Sequence, residues 1–427
     1  MYYALTLNSF LKIKPNEKML SVVIKGTRTN IVINDTAYDI LKCCNGKNTF
    51  SEIMSALNEK YIASEDMVRL FLEQNINAGI VQVSQRCLEN DNIIEKGNQY
   101  IYYPDILIWE ITNVCPLRCK HCYLGEKENI WFKKEEIDYI IRLIKEKGIT
   151  TVQLTGGELF SHPYVEYIVD KLNELNVVVT LSTSGYIFND VVENVIKKLR
   201  CDASVRVSLD GNKKYHNQVR GKADAYDKVL KFMKLVKKNG IQLQLGTVIL
   251  DQDEEMIKEL ITFARNQGVN SHTFSIVLEE GEAILNGQKS IYSNMWLQRK
   301  LVEWSKIYDT NSYKIQVSAN NGLKNCGCGY KLIRLRPDFS VTPCAMIDYK
   351  IGNLKNEDFN SIMSKGTKVF ESMYSPQNVE CTFCNECSII DECGDCIAMA
   401  LVKNRQINGR CKWVKNNQEK IDQLIQG

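Results

Sequence analysis

Three cysteines, Cys115, Cys119 and Cys122, stand at the spacing C-x3-C-x2-C directly after an apolar run at 106–112 (ILIWEIT). Thiolates are soft ligands that suit iron–sulfur clusters, zinc or copper(I). A closed structural site takes four ligands, whereas three from one short loop leave a metal position open to a substrate or cofactor. Zinc with a distant fourth ligand is the plainer alternative, and this spacing fits the usual zinc patterns poorly. A second group gathers towards the C-terminus: Cys326, Cys328, Cys344, Cys381, Cys384, Cys387, Cys393, Cys396 and Cys411. Its core, C-x2-C-x5-C-x2-C over 384–396, is metal-site spacing, and a zinc there would staple a small domain. Cys43, Cys44, Cys87 and Cys201 are scattered and read as small buried hydrophobes.

The chain has 427 residues, 44% hydrophobic and 25% charged, with a net charge of +3. That is ordinary for a soluble globular protein of about two or three domains, and it gives no argument for nucleic acid or an anionic membrane. No apolar run reaches the ~18 residues of a membrane span, and the N-terminus (MYYALTLNSF) lacks the basic-then-apolar order of a signal peptide. A cytoplasmic chain is expected, and there the sixteen cysteines speak for metal ligation rather than disulfides. His121, His162, His216 and His272 are dispersed and read as structural, and neither a Gly-x-Ser-x-Gly elbow nor a P-loop occurs.

The elements that must position the first cysteine group run from Pro104 to about residue 310. Strands are expected at 106–112, 151–154, 177–182, 204–208, 242–248 and 271–277, with amphipathic stretches such as 134–147 and 226–238 between them. Repeated β-α units predict a parallel sheet, open or closed into a barrel, with chemistry at the C-terminal strand ends. The cysteine loop follows the first strand. Thr155-Gly156-Gly157-Glu158 follows the second; its glycines permit close backbone approach and its acid could hold an ammonium group. Leu181–Gly185 closes the third strand and Val207–Gly211 the fourth, with His216 and Arg220 beyond it.

Residues 1–95 read as a separate unit. Strands at 19–25 and 29–33 are joined by Gly26-Thr27-Arg28, and Asn34-Asp35-Thr36 caps a helix through Cys44. Thr49 or Ser51 opens a second helix, a third spans about 65–77 with Val68, Phe71, Leu72 and Ile76 inward, and a strand follows Gly79. This is the pattern of a winged helix-turn-helix. DNA binding is the obvious function, but the unit carries ten Lys/Arg against eleven Asp/Glu, and its third helix sets Glu65, Asp66 and Glu73 against Arg69 alone. A phosphate-facing surface needs a basic footprint. Residues 88–102 read as a linker.

The cysteine loop, ending in Tyr123, together with Gly156-Gly157-Glu158, resembles the signature of the radical S-adenosylmethionine (SAM) enzymes. The resemblance implies a partial (β/α)6 TIM barrel over 103–312. Cys115, Cys119 and Cys122 would hold a 4Fe–4S cluster that binds SAM. The cofactor contacts it implies are Tyr123, Gly156, Gly157 and Glu158, the ribose-contacting Ser184, then Ser208 and Arg220 for the methionine carboxylate and ribose, and Gly246 beside the adenine.

The C-terminal cysteines, over 313–427, resemble a SPASM extension with two auxiliary 4Fe–4S clusters. Carried over, Cys326 or Cys328, Cys344 and Cys396 belong to the first, and Cys384, Cys387, Cys393 and Cys411 to the second; Cys328 and Cys381 are extra. Phe339 stands where that family has a glycine, and the last gap, Cys393 to Cys396, is two residues where many members have three. The N-terminal unit resembles the leader-peptide recognition domain of enzymes that modify ribosomally made peptides, where an extended peptide adds a strand to the hairpin edge.

The order of the three parts is similar to that of the sactipeptide synthases of the subtilosin A maturase type. Their chemistry implies cleavage of SAM to a 5′-deoxyadenosyl radical, hydrogen removal from a bound precursor peptide and closure of a Cys-to-carbon thioether. It also implies an electron donor such as flavodoxin or ferredoxin. A carbon–carbon crosslink, an epimerisation and a sulfatase-type oxidation keep the same radical step, and a metal-sensing DNA-binding regulator is the alternative of another class.

Overall fold

The computed structural model describes residues 1–88, 94–124, 129–317, 326–347, 349–371, 373 and 412–425. Cys381, Cys384, Cys387, Cys393, Cys396 and Cys411 lie outside them. The chain divides into two compact units.

The first unit comprises Met1–Asp105, Glu135–Thr151 and Lys171–Val178. Its elements are β1 (Tyr2–Leu5), β2 (Phe10–Lys14), β3 (Glu17–Ile24), β4 (Thr27–Val32), α1 (Asp35–Cys43), β5 (Asn45–Thr49), α2 (Phe50–Asn58), α3 (Glu65–Asn77), β6 (Val81–Ser84), β7 (Glu95–Gly97) and most of α4 (Lys134–Lys147). Helix starts follow the expected chemistry. Asn34 accepts the Ala37 N–H at 2.8 Å, and Glu52 reaches back to the Thr49 N–H at 2.7 Å. Val68 and Leu72 of α3 are buried, with Phe71 and Ile76 packed against the same core as Ile53 and Leu57.

Four strands in this unit escape the sequence pattern: β1, β2, β5 and β7. β7 lies inside the expected linker and pairs in parallel with β2, Leu11 opposite Glu95. Its residues, Glu-Lys-Gly, show no apolar alternation, so only the partner strand makes it a strand. β2 hides its inward face behind charge. Lys12 is 1% exposed, its ammonium donating to the carbonyls of Pro104 (2.9 Å) and Gly148 (2.8 Å) and to Asp105 (2.9 Å). Burial lowers Lys12 to about 8, although Asp105 opposes that shift.

The second unit holds Ile106–Lys134, Val152–Asp170 and Val179–Gly427. Its frame is β8 (Ile106–Thr112), β9 (Thr151–Gly156), α5 (Val165–Glu174), β10 (Val178–Thr183), α6 (Asp190–Lys198), β11 (Ser204–Ser208), α7 (Lys213–Arg220), α8 (Ala225–Lys238), β12 (Gln242–Ile249), α9 (Glu254–Asn266), β13 (Ser271–Ile276), α10 (Glu282–Leu285) and α11 (Asn294–Tyr308). Then follow β14 (Lys314–Ile315), β15 (Leu332–Leu335), β16 (Ser340–Thr342), β17 (Gly352–Asn353) and α12 (Phe359–Gly366).

The strands form one sheet of order β14-β13-β12-β11-β10-β9-β8-β15-β16-β17. Its six expected strands all appear, and the large parallel sheet is consistent with a partial TIM barrel. The sheet also runs past residue 312. β14 extends β13 in parallel, and β15 pairs in parallel with β8, Leu332 opposite Ile106. α8 packs on β11 and β12, and α11 on β13 and β14. Among the described residues no helix is long and apolar enough to cross a membrane.

Candidate functional site

The C-terminal ends of the strands in the second unit surround a cavity of about 310 Å³. Cys115, Cys119, Cys122 and Tyr123 line it, with Gly156, Gly157, Ser184, Ser208 and Arg220. Residues far apart in sequence meet here because each follows a parallel strand.

The cysteine loop is held at both ends. Gly157 N–H donates to Thr112 O (2.8 Å) and Glu158 N–H to Val114 O (2.8 Å), so the double-glycine turn braces the residues before Cys115. A Cβ on Gly157 would stand 2.6 Å from the carbonyl oxygens of Asn113 and Val114, which explains the glycine. Farther along, Lys120 N–H donates to Val219 O (3.2 Å), and Ala283 N–H to Cys122 O (3.1 Å).

Arg220 grips the middle of the loop. Its guanidinium is bidentate to Asp210 (2.7 and 3.1 Å), and its remaining Nη1 faces Cys119 Sγ at 3.7 Å. Asp210 is fully buried. Burial alone would raise it, but the Arg220 guanidinium outweighs burial and holds it well below the usual carboxylate range. Burial also pushes His121 down to about 4, helped by Arg220 beside it. Arg220 is thus engaged with the protein first, and lines the cavity as a brace for Cys119.

Tyr123 donates its hydroxyl to Glu110 at 2.8 Å, and Glu110 pairs with Arg334 at 2.8 Å. Burial, then Glu110, pushes the Tyr123 phenol well up. The pair Glu110–Arg334 ties β15 to β8 beneath the loop.

Two expected contacts, Glu158 and Gly246, are not among the residues lining this cavity. Glu158 is 1% exposed and does not line the cavity. Its carboxylate accepts the Thr183 hydroxyl (2.7 Å), the Ser184 N–H (2.8 Å) and the Ser184 hydroxyl, bracing the end of β10. The backbone of Gly156 and Gly157 faces the cavity instead. Gly246 is likewise absent from the lining: it passes its carbonyl to Leu209 N–H (3.0 Å) and lies against the stem of Arg206.

Arg206 is the residue that motif reading passes over. It lines the cavity, donates to Gln244 at 3.3 Å, and its Nε is buried without a hydrogen-bond partner among the described residues. Burial lowers its basicity. A buried guanidinium edge left unpaired fits an anionic group of a ligand. The signal was available: on a strand, Arg206 shares a face with Ser208.

Among the described residues no three His, Cys, Asp or Glu side chains converge on a single metal ion. A cubane asks for no such convergence, since its cysteines bind separate irons. Three thiols around a cavity with an open polar side fit that group, and the Arg206 edge with the strand-end hydroxyls fits an amino-acid-bearing nucleoside. Of the second group, Cys326, Cys328 and Cys344 sit together. Cys328 is raised well up by the thiols of Cys326 and Cys344 beside it and by burial, while Cys344 is lowered by Cys328. Ala345 and Met346, directly after Cys344, line the cavity.

Residues 109–264 match the model of the radical SAM superfamily. The chain carries a radical SAM domain. Outside it the likeness continues. The chain is 24% identical over 412 residues to the subtilosin biosynthesis protein AlbA of Bacillus subtilis, covering 92% of this chain and 90% of that protein. It is 26% identical to a GTP 3′,8-cyclase of Helicobacter pylori, over 67% of this chain. The fold is similar to that of Streptococcus suis SuiB bound to its precursor peptide SuiA, with a TM-score of 0.69 at 16% identity, covering 94% of this chain and 97% of that one. The radical SAM domain supplies the Cys115 loop, the double-glycine turn, Ser184, Ser208 and Arg220; the group at Cys326, Cys328 and Cys344 follows it.

Proposed function

We propose that this protein modifies a ribosomally made precursor peptide, forming a thioether between a cysteine sulfur and a carbon of the same peptide. The observation that carries the reading is one cavity shared by Cys115, Cys119, Cys122, the Gly156-Gly157 backbone and Arg206. Likeness along nearly the whole chain to AlbA, a bacteriocin biosynthesis protein, supports a peptide substrate over a nucleotide, since the cyclase match leaves a third of the chain uncovered.

Cys115, Cys119 and Cys122 would hold the SAM-binding 4Fe–4S cluster. When bound, that cluster supplies the electron for splitting SAM into methionine and a 5′-deoxyadenosyl radical. The chain's own groups orient and shield. Carbonyls of the Gly156-Gly157 turn would accept from the cofactor's amino group, Arg206 and Ser208 would meet its carboxylate, and Ser184 its ribose. Leu117, Leu124, Val248, Ile276 and Leu278 make the apolar wall that keeps water from the reacting carbon. Cys326, Cys328 and Cys344 would ligate an auxiliary cluster beside the cavity, with a second one held by the remaining C-terminal cysteines. Residues 1–95 would recognise the leader, and a low-potential protein would donate electrons.

The test is anaerobic incubation of the reconstituted protein with SAM, a reductant and a cysteine-rich peptide encoded beside it, followed by tandem mass spectrometry. Loss of two hydrogens localised to a cysteine and an acceptor residue is expected. Unchanged mass with inverted residues would replace thioether formation by epimerisation.

A further inference from the structure

The end of α7 sets a fixed charge against the cysteine loop. Lys120 N–H donates to Val219 O at 3.2 Å, and Gly221, at φ +70°, stops the helix there, so the side chain of Arg220 is delivered to the loop. Its Nη1 donates to Cys119 Sγ at 3.7 Å, while Nε and Nη2 donate to the two oxygens of Asp210 at 2.7 and 3.1 Å. The acid is held in turn. Asp210 Oδ1 also accepts the Val248 N–H at 3.3 Å, its own N–H donates to His216 Nδ1 at 3.2 Å, and its carbonyl accepts from Gln252 Nε2 at 2.9 Å. Asp210 is fully buried and Arg220 is 7% exposed. The pair is a dipole that cannot turn, with its positive end on a thiol. Backbone bonds already hold the loop, so a guanidinium on the sulfur itself has electrostatic rather than mechanical work to do.

We infer that Arg220, held in place by Asp210, raises the reduction potential of the cluster that Cys115, Cys119 and Cys122 would hold. The inference rests on the radical reading of this loop. Such a cluster gains one negative charge when it takes one electron from a low-potential one-electron donor, and no proton moves. Hydrogen bonds to the cluster sulfurs, net charge and solvent exposure are what set its potential. A donor that carries a full charge is stronger than a neutral one, and burial keeps water from screening it. The guanidinium stays charged throughout the working pH range. The Asp210 carboxylate binds the Nε–Nη2 edge, away from the Nη1 that meets the sulfur, so it tempers the positive charge without cancelling it. Asp210 is thus a positioning residue, and Arg220 eases uptake of the electron that cleavage of SAM consumes.

The test is a redox titration of the full-length reconstituted protein, read by electron paramagnetic resonance. The signal missing from Cys119→Ala belongs to this cluster and is the one followed. Arg220→Gln/Asp210→Asn keeps polar groups in place without either charge. It should shift the equilibrium against the reduced cluster about tenfold, which for one electron is about 59 mV. Asp210→Asn alone should shift it the other way, because the opposing charge is gone. Arg220→Lys, which keeps the charge, should stay within about threefold of wild type. Lys213→Gln, which removes an exposed cation paired with Asp227 at 2.7 Å, should leave the potential where it is. Equal potentials in wild type, the double variant and Asp210→Asn overturn the inference. So does a fall in both variants, the result that general loosening of the loop would give. Should the double variant assemble no cluster, the direction of the shift in Asp210→Asn decides. A wild type with no signal that Cys119→Ala removes would instead refute the radical reading, and the inference would fall with it.

Discussion

The two cysteine groups of the second unit are built differently. Cys115, Cys119 and Cys122 come from one loop and face a cavity, with Arg220 donating to one of them and polar strand ends opposite. Cys326 and Cys328 share one turn and Cys344 follows β16, and the Cys328 thiol faces the other two. The first arrangement leaves room beside the sulfurs for a second molecule. The second packs sulfur against sulfur, with Cys328 buried (3% exposed), Cys344 half-buried and Cys326 exposed. A site that faces a cavity needs a loop braced from behind, and a clustered one needs its ligands packed together.

Removing a ligand on each side separates the two roles most sharply. Cys119→Ala should abolish formation of 5′-deoxyadenosine and lower iron by about four atoms per chain. Cys328→Ala should leave dithionite-driven cleavage largely intact while lowering iron and peptide modification. Anaerobic product analysis and iron content check both, and equal loss of cleavage in the two variants would erase the distinction.

Next in size is the brace of the open site. Arg220→Gln leaves Asp210 buried without its cation, at a cost of about 3–5 kcal/mol. The pH sign is specific. In the wild type Asp210 is held below its ordinary value, so its contribution is present above the unfolded carboxylate pKa of about 3.9 and fades as pH falls. In the variant, burial raises Asp210 instead, so the variant loses stability as pH rises. The difference in denaturation midpoint should therefore widen from about pH 4 to pH 7. A pH-independent gap would mean that the pair acts only by packing.

The smallest effect belongs to the turn between β15 and β16. Phe339 has φ +67°, in the left-handed region a bulky side chain rarely adopts, yet its ring is buried 4.9 Å from that of Phe132. Phe339→Gly trades about 3–5 kcal/mol of burial against ~1–2 kcal/mol of relieved strain. A net loss of about 2 kcal/mol is expected in chemical denaturation, with dithionite-driven cleavage unchanged. A stabilised variant would show that the ring contributes less than the strain costs.

Much of the frame was legible because its signals are local. The six parallel strands, the three N-terminal helices and the caps at Asn34 and Thr49 follow from periodicity and capping chemistry. What escaped depends on a partner strand or on buried charge: β7 exists only beside β2, and Lys12 of β2 is buried only because two carbonyls and Asp105 receive its ammonium. The same limit applied at the cavity. The motif names Glu158, and only the fold shows that its carboxylate accepts from Thr183 and Ser184 and that Arg206, which no motif contains, lines the cavity.

By itself the sequence determined which donors exist and that three thiols leave one short loop together, because ligand type and spacing are covalent facts. Tertiary structure decided which groups share the cavity, which hydroxyls the Glu158 carboxylate braces, and which cation reaches Cys119. Those depend on strand ends brought together across the sheet, and no stretch of chain encodes them without its neighbours.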